Sequence, residues 1–205
     1  MSIHTSIQAL DLLEWPHPLL CAPSDPVDCF DKLLTSFVDQ MWATLRSTGG
    51  VGLAAPQVGL SQRLFIMDCR IVQPEARPHV YINPTLINPK GKTSFNEGCL
   101  SFPGLRIEVP RFETIDIRAQ DIDGRWFTKS LEGLEAICAQ HEYDHLEGKA
   151  FIDRLEPEHR KETLLQYHQF LQSRSQDLNK CIPQAPLIDT LSRVEQLLHQ
   201  LHHSF

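Results

Sequence analysis

Residues 134–145 read LEAICAQHEYDH, and the last five of them are H-E-x-x-H. His141 and His145 are four apart, so on a helix their imidazoles sit one above the other on the same face. Stacked in that way, both can reach one metal ion. Glu142 points roughly 100° round the helix from His141, close enough to address a water at the ion without ligating the ion itself. Ligands that fix an ion, beside a carboxylate that moves a proton, are the division of labour of a metal-assisted hydrolase. The competing reading is a chance helical histidine pair among ordinary surface acids. The flanks oppose it, because Leu134, Ile137 and Cys138 continue the histidine face backwards as an apolar stripe and predict a pair buried beside the core.

A catalytic ion takes about three protein ligands and keeps one position open. The pattern H-x-x-G-x-x-H would supply the third, but Gly148 is followed by Lys149, Ala150 and Phe151, and phenylalanine cannot ligate. Glu156, Glu158 and Glu162 lie downstream and are expected at an exposed helix start. Upstream, Glu97-Gly98-Cys99-Leu100-Ser101 offers Cys99. A thiolate with two imidazoles is a good set for a divalent transition metal, although a lone cysteine is more often a small buried residue.

Further from the motif, Phe30, Leu33, Leu34, Phe37, Val38, Met41 and Leu45 predict an amphipathic helix that starts near Val27 and stops at Gly49 and Gly50. Residues 50–57, GVGLAAPQ, are small enough to let another backbone or a ligand come close. Gln57 is the one strongly polar side chain among them, either a satisfied structural amide or a donor aimed into a site. Residues 64–67 and 80–82 read as strands, with Asn83-Pro84 and residues 88–91 as turns. Residues 106–109 and 112–119 read as antiparallel strands, and residues 121–124 as a turn before a returning strand at 126–128. A helix is expected after Pro157 through Leu164, Leu165, Tyr167 and Leu171. In the tail, Leu187, Leu191, Val194, Leu198 and Leu201 form a short stripe, expected to dock on the parent domain, with a dimer contact as the alternative.

The 205 residues suffice for one well-cored domain, and 41% hydrophobic with 22% charged residues is ordinary for a globular chain. A net charge of -7 disfavours a generic nucleic-acid binder, and no specific nucleic-acid recognition is expected. No apolar run approaches membrane-spanning length, and the first fifteen residues lack a secretory n-region and h-region, so a cytoplasmic location is expected. Six scattered cysteines without C-x-x-C predict free thiols rather than a disulfide framework.

Taken in order, GVGLAAPQVG at 50–59, EGCLS at 97–101 and QHEYDHLEG at 140–148 resemble peptide deformylase of the bacterial type, and the lead-in WPHPLLCAPSDPV is similar as well. The resemblance spans roughly residues 10 to 165. It implies an α+β fold, with antiparallel or mixed sheets packed around a central H-E-x-x-H helix, an N-terminal helix and C-terminal helices. Residues 1–175 would form the catalytic domain and 176–205 an extension with an amphipathic helix. Cys99, His141 and His145 would hold one divalent ion, in the family usually Fe2+, with Ni2+, Co2+ or Zn2+ able to substitute. Glu142 would carry the proton, and the Gln57 amide with the backbone N–H of Leu100 would stabilise an oxyanion. Val51, Gly52, Gly98, Arg106, Leu134, Ile137 and Cys138 would bind substrate, the apolar ones around a methionine side chain. Partners implied are N-formyl-methionyl nascent peptides and a transient ribosome contact, for which Arg160, Lys161 and Arg174 are candidates, although those charges read first as a solvated face. Pro56, where many members carry threonine, and the longer tail depart from the pattern without removing a catalytic group. Two other classes remain. A metal-dependent endopeptidase would share His141, Glu142 and His145, and a non-catalytic scaffold would be expected to have lost Gln57, Cys99 or Glu142.

Overall fold

A computed structural model describes residues 7–178 and 185–202. A five-stranded antiparallel sheet in the order β1-β2-β3-β6-β7 is built from β1 (Gly52–Ala54), β2 (Leu64–Met67), β3 (His79–Lys90), β6 (Thr114–Gln120) and β7 (Trp126–Glu132). A separate antiparallel ribbon pairs β4 (Thr93–Cys99) with β5 (Phe102–Arg111). Helix α2 (Gly133–Leu146) carries the histidine motif and packs against β1, β2, β6 and β7. Helix α1 (Lys32–Thr48) closes another part of that sheet, and α3 (Pro157–Leu178) with α4 (Ala185–His202) forms the C-terminal pair. The α+β arrangement around a central motif helix is the one the resemblance implies.

The ends of α1 follow from its residues. Asp31 accepts the N–H groups of Leu33 and Leu34, at 2.8 and 3.0 Å, and Gly49 takes the left-handed conformation that closes the helix. The helix therefore starts at Lys32, later than the apolar pattern suggests. Leu33, counted in its apolar face, is 78% exposed, because the buried face runs through Leu34, Val38, Met41 and Leu45 instead.

Strand β3 corrects the sequence reading most clearly. Asn83-Pro84 and residues 88–90 do not turn the chain; they lie within one twelve-residue strand. The register against β6 shifts between Ile82 and Thr85 and again between Ile87 and Lys90, and both asparagines have positive φ, 50° and 53°. Proline is tolerated in a strand at such bulges. Asn83 pays its way by fixing the lead-in: it accepts from the Val27 N–H and donates to the Val27 carbonyl and to Gln120. In β6 the side chains alternate, with Ile115, Ile117 and Ala119 buried opposite Thr114, Asp116 and Arg118. Strand β7 is longer than expected and runs directly into α2. Glycine is required past the end of α2, where Gly148 has φ 66° and a Cβ would lie 2.6 Å from the Ala22 backbone.

The C-terminal pair is part of the core. Trp15, Phe102, Phe151, Tyr167, Leu171, Val194 and Leu198 form one buried cluster, with the Trp15 and Phe102 rings stacked at 4.9 Å. Of the tail stripe, Val194 and Leu198 are buried in this cluster and Leu191 packs against it, while the side chains of Leu187 and Leu201 lie outside the described residues. Leu165, by contrast, is 39% exposed.

Candidate metal centre

Helix α2 and the turn between β4 and β5 bring three donors together. Cys99 ends β4, where the register against β5 slips so that Cys99 faces Phe102. His141 and His145 lie one turn apart on α2, with ring centroids 5.1 Å apart. The ligand atoms of Cys99, His141 and His145 all lie within 4.8 Å of one another, and Cys99 Sγ is 3.3 Å from His145 Nε2. Among the described residues this is the group of histidine, cysteine and acidic side chains arranged to hold an ion. One thiolate and two imidazoles fit a borderline divalent metal. Glu156, Glu158 and Glu162 are exposed and take no part, and Phe151 is buried against the His141 ring.

The ring of His141 is held from behind. Its Nδ1 donates to Glu97 Oε2 at 2.7 Å, which leaves Nε2 to face the cluster. Arg111 donates to both oxygens of Glu97, at 2.6 and 2.9 Å, and to Asp144 Oδ2 at 2.7 Å. Arg154 binds Asp144 from the outside. Burial works against the Glu97 charge, but Arg111 and His141 outweigh it and hold the carboxyl below its usual range. Burial pushes His145 well below the ordinary imidazole value, which leaves it neutral and able to ligate. His141 moves the other way without a metal, since Cys99 and Glu97 overcome its burial.

Sequence reasoning missed this wall. Glu97 had a legible signal, for it stands two residues before Cys99 on a strand and so shares its face. Arg111 and Asp144 had none, because nothing local marks a charge as buried.

On the other side lies an open cleft of about 670 Å³. Val51, Gly52, Gln57, Gly98, Cys99, Leu100, Arg106, Leu134, Ile137, Cys138, His141 and Glu142 all border it, whereas His145 sits behind, 1% exposed. Glu142 is 4% exposed and its Oε2 has no hydrogen-bond partner among the described residues. Burial, against the opposing charge of His141, pushes its carboxyl up to about 7, a range suited to proton transfer near neutrality. A hydrogen bond with Cys69, and burial after it, raise the Cys138 thiol, which stays a neutral apolar wall.

Close packing decides two details of the rim. A Cβ at Gly52 would lie 2.3 Å from Glu142 Oε1 and 2.7 Å from Cys138 Sγ. Arg106 is exposed and donates to the Asn96 carbonyl at 3.2 Å, so it braces β4. Gln57 is a partnered structural amide that also borders the cleft. Its Oε1 accepts the Ala54 N–H at 2.9 Å, and its Nε2 reaches Ser101 Oγ at 3.2 Å and Cys99 Sγ at 3.6 Å.

An α+β fold presenting a cysteine, two histidines one turn apart and a buried carboxylate at an open cleft defines a metallohydrolase of the H-E-x-x-H class. The profile of the polypeptide deformylase family matches residues 9–161. A peptide deformylase of Chromobacterium violaceum is 42% identical over 146 residues, 71% of this chain and 86% of that one. Peptide deformylase 1B, chloroplastic/mitochondrial, of Arabidopsis thaliana is 43% identical over 147 residues, 71% of this chain and 54% of that one. The solved peptide deformylase of Legionella pneumophila superposes with TM-score 0.74 at 36% identity, covering 85% of this chain and 99% of that one. The chain belongs to the polypeptide deformylase family.

Proposed function

We propose that the protein removes the N-formyl group from the N-terminal formyl-methionine of newly synthesised proteins, releasing formate. The observation that carries this reading is the meeting of Cys99, His141 and His145 beside Glu142 and Gln57 at one cleft. Cys99, His141 and His145 would hold one divalent ion, with Fe2+ expected and Ni2+, Co2+ or Zn2+ able to replace it. The ion supplies Lewis acidity that lowers the pKa of water and polarises the formyl group.

The remaining work falls to the chain. Residues 50–52 and 98–100 flank the substrate as an extended strand, a β-augmentation mode. Val51, Leu134, Ile137 and Cys138 receive the methionine side chain, and Arg106 keeps β4 in place beside it. Glu142 takes a proton from the attacking water as the C–O bond forms and passes it to the amine as the C–N bond breaks. Gln57 Nε2 and the Leu100 N–H donate to the formyl oxygen while it carries negative charge. Water and a formamide become formate and a free amino terminus.

Residues 1–175 act as the catalytic domain, with the helix of the 176–205 extension docked upon it. The working place is the cytoplasm, where nascent chains emerge, and a transient ribosome contact accompanies it. Of the basic residues considered for that contact, Arg160 and Arg174 pair with Asp153 and Glu14. No helix among the described residues is long and apolar enough to cross a membrane.

The test is formate release from an N-formyl-Met tripeptide by anaerobically purified protein, with metal measured on the same sample. Release with about one divalent ion per chain is expected, that number being the occupancy of a single three-ligand site. A folded, metallated sample that releases no formate would overturn the reading, and cleavage of unformylated peptides would move it to the endopeptidase class.

A further inference from the structure

Ser101 stands in the turn between β4 and β5 and is 0% exposed, and no role was read for it in the sequence. Its carbonyl accepts the Trp15 N–H at 2.9 Å, so the backbone there is anchored without help from the side chain. Its hydroxyl meets Gln57 Nε2 at 3.2 Å across a gap of 44 residues in sequence.

We propose that Ser101 is a positioning residue for the Gln57 amide, a reading that rests on the proposed deformylation. A primary amide has one acceptor and two donor protons in a plane. Ala54 fixes the acceptor end of Gln57, and the hydroxyl of Ser101 takes one of the two protons. The second proton is left on the Cys99 side, where the sulfur at 3.6 Å is a weak acceptor. That N–H is held in place yet weakly engaged, so an oxyanion arriving in the cleft can take it with little reorganisation. Without the hydroxyl, a buried Nε2 proton loses its partner, and the amide gains a reason to rotate away from the productive pose.

The test is a double-mutant cycle on metal-loaded protein with Ser101→Ala, Gln57→Ala and the pair. Ser101→Ala should lower kcat by about tenfold, the weight of one buried hydrogen bond, with KM and bound metal nearly unchanged and the thermal midpoint lower by only a few degrees, about 2–4 °C. In the Gln57→Ala background, adding Ser101→Ala should cost nothing more. Additive losses, or a loss that tracks lost metal, would overturn the proposal. A measurement on zinc-loaded wild type covers the case in which Ser101→Ala fails to fold. With 15N-glutamine labelling, the Gln57 side-chain protons should exchange slowly, and exchange at the rate of an exposed amide would overturn the proposal. If wild type releases no formate, the functional reading falls. If wild type is active, Gln57→Ala is impaired and Ser101→Ala is not, the inference alone falls.

Discussion

Behind the histidine pair, Glu97, Arg111 and Asp144 are buried and every one of them is answered by an opposite charge. In front of it, Glu142 is equally buried, yet one of its oxygens has no partner, and Gln57 spends one N–H on a weakly accepting sulfur. The two faces share a helix and a strand but have different tasks. A satisfied charge network rigidifies what it touches. Groups left short of partners are the ones free to bind something that comes and goes. On the proposed reading, the rear wall orients and the front face reacts.

That contrast can be broken by substitution. Glu142→Ala should abolish nearly all turnover, a loss of up to about 10⁴, while metal stays bound, measured by steady-state kinetics and elemental analysis together. Metal loss with global unfolding would move Glu142 to the structural side. For Gln57→Ala, kcat/KM should fall by about 10²–10³ on an intact fold, and activity within a few-fold of wild type would remove it from the front face. Glu97→Gln tests the rear: metal affinity should weaken by about 10–100-fold, read by chelator competition, with turnover of the fully loaded protein changed less than in Gln57→Ala. The smallest effect is expected from Arg106→Ala, which loses one exposed hydrogen bond to β4 and should change KM by less than about tenfold.

The front face was largely legible in the sequence and the rear was not. A four-residue histidine spacing on a helix states its geometry outright, and blocks at 50–59, 97–101 and 140–148 supplied the rest by resemblance. Arg111 and Asp144 come from elements far apart in the chain, and an arginine on a strand looks the same whether it meets solvent or two carboxylates. Strand β3 failed for a related reason. Asn-Pro is a turn signal locally, and only pairing with β6 and the bonds of Asn83 to Val27 turn it into a bulge. Leu33 shows the limit from the other direction, since it fits the apolar spacing of α1 but has no sheet beneath it.

Gly52 has a consequence for how this gene can vary. Every missense change of its codon installs a Cβ, and that carbon would arrive 2.3 Å from Glu142 Oε1. Two buried side chains must give way, the Glu142 carboxylate and the Cys138 thiol, so the damage falls on where the carboxylate points and on how α2 packs against β1. A population would carry third-base changes at this codon and few others.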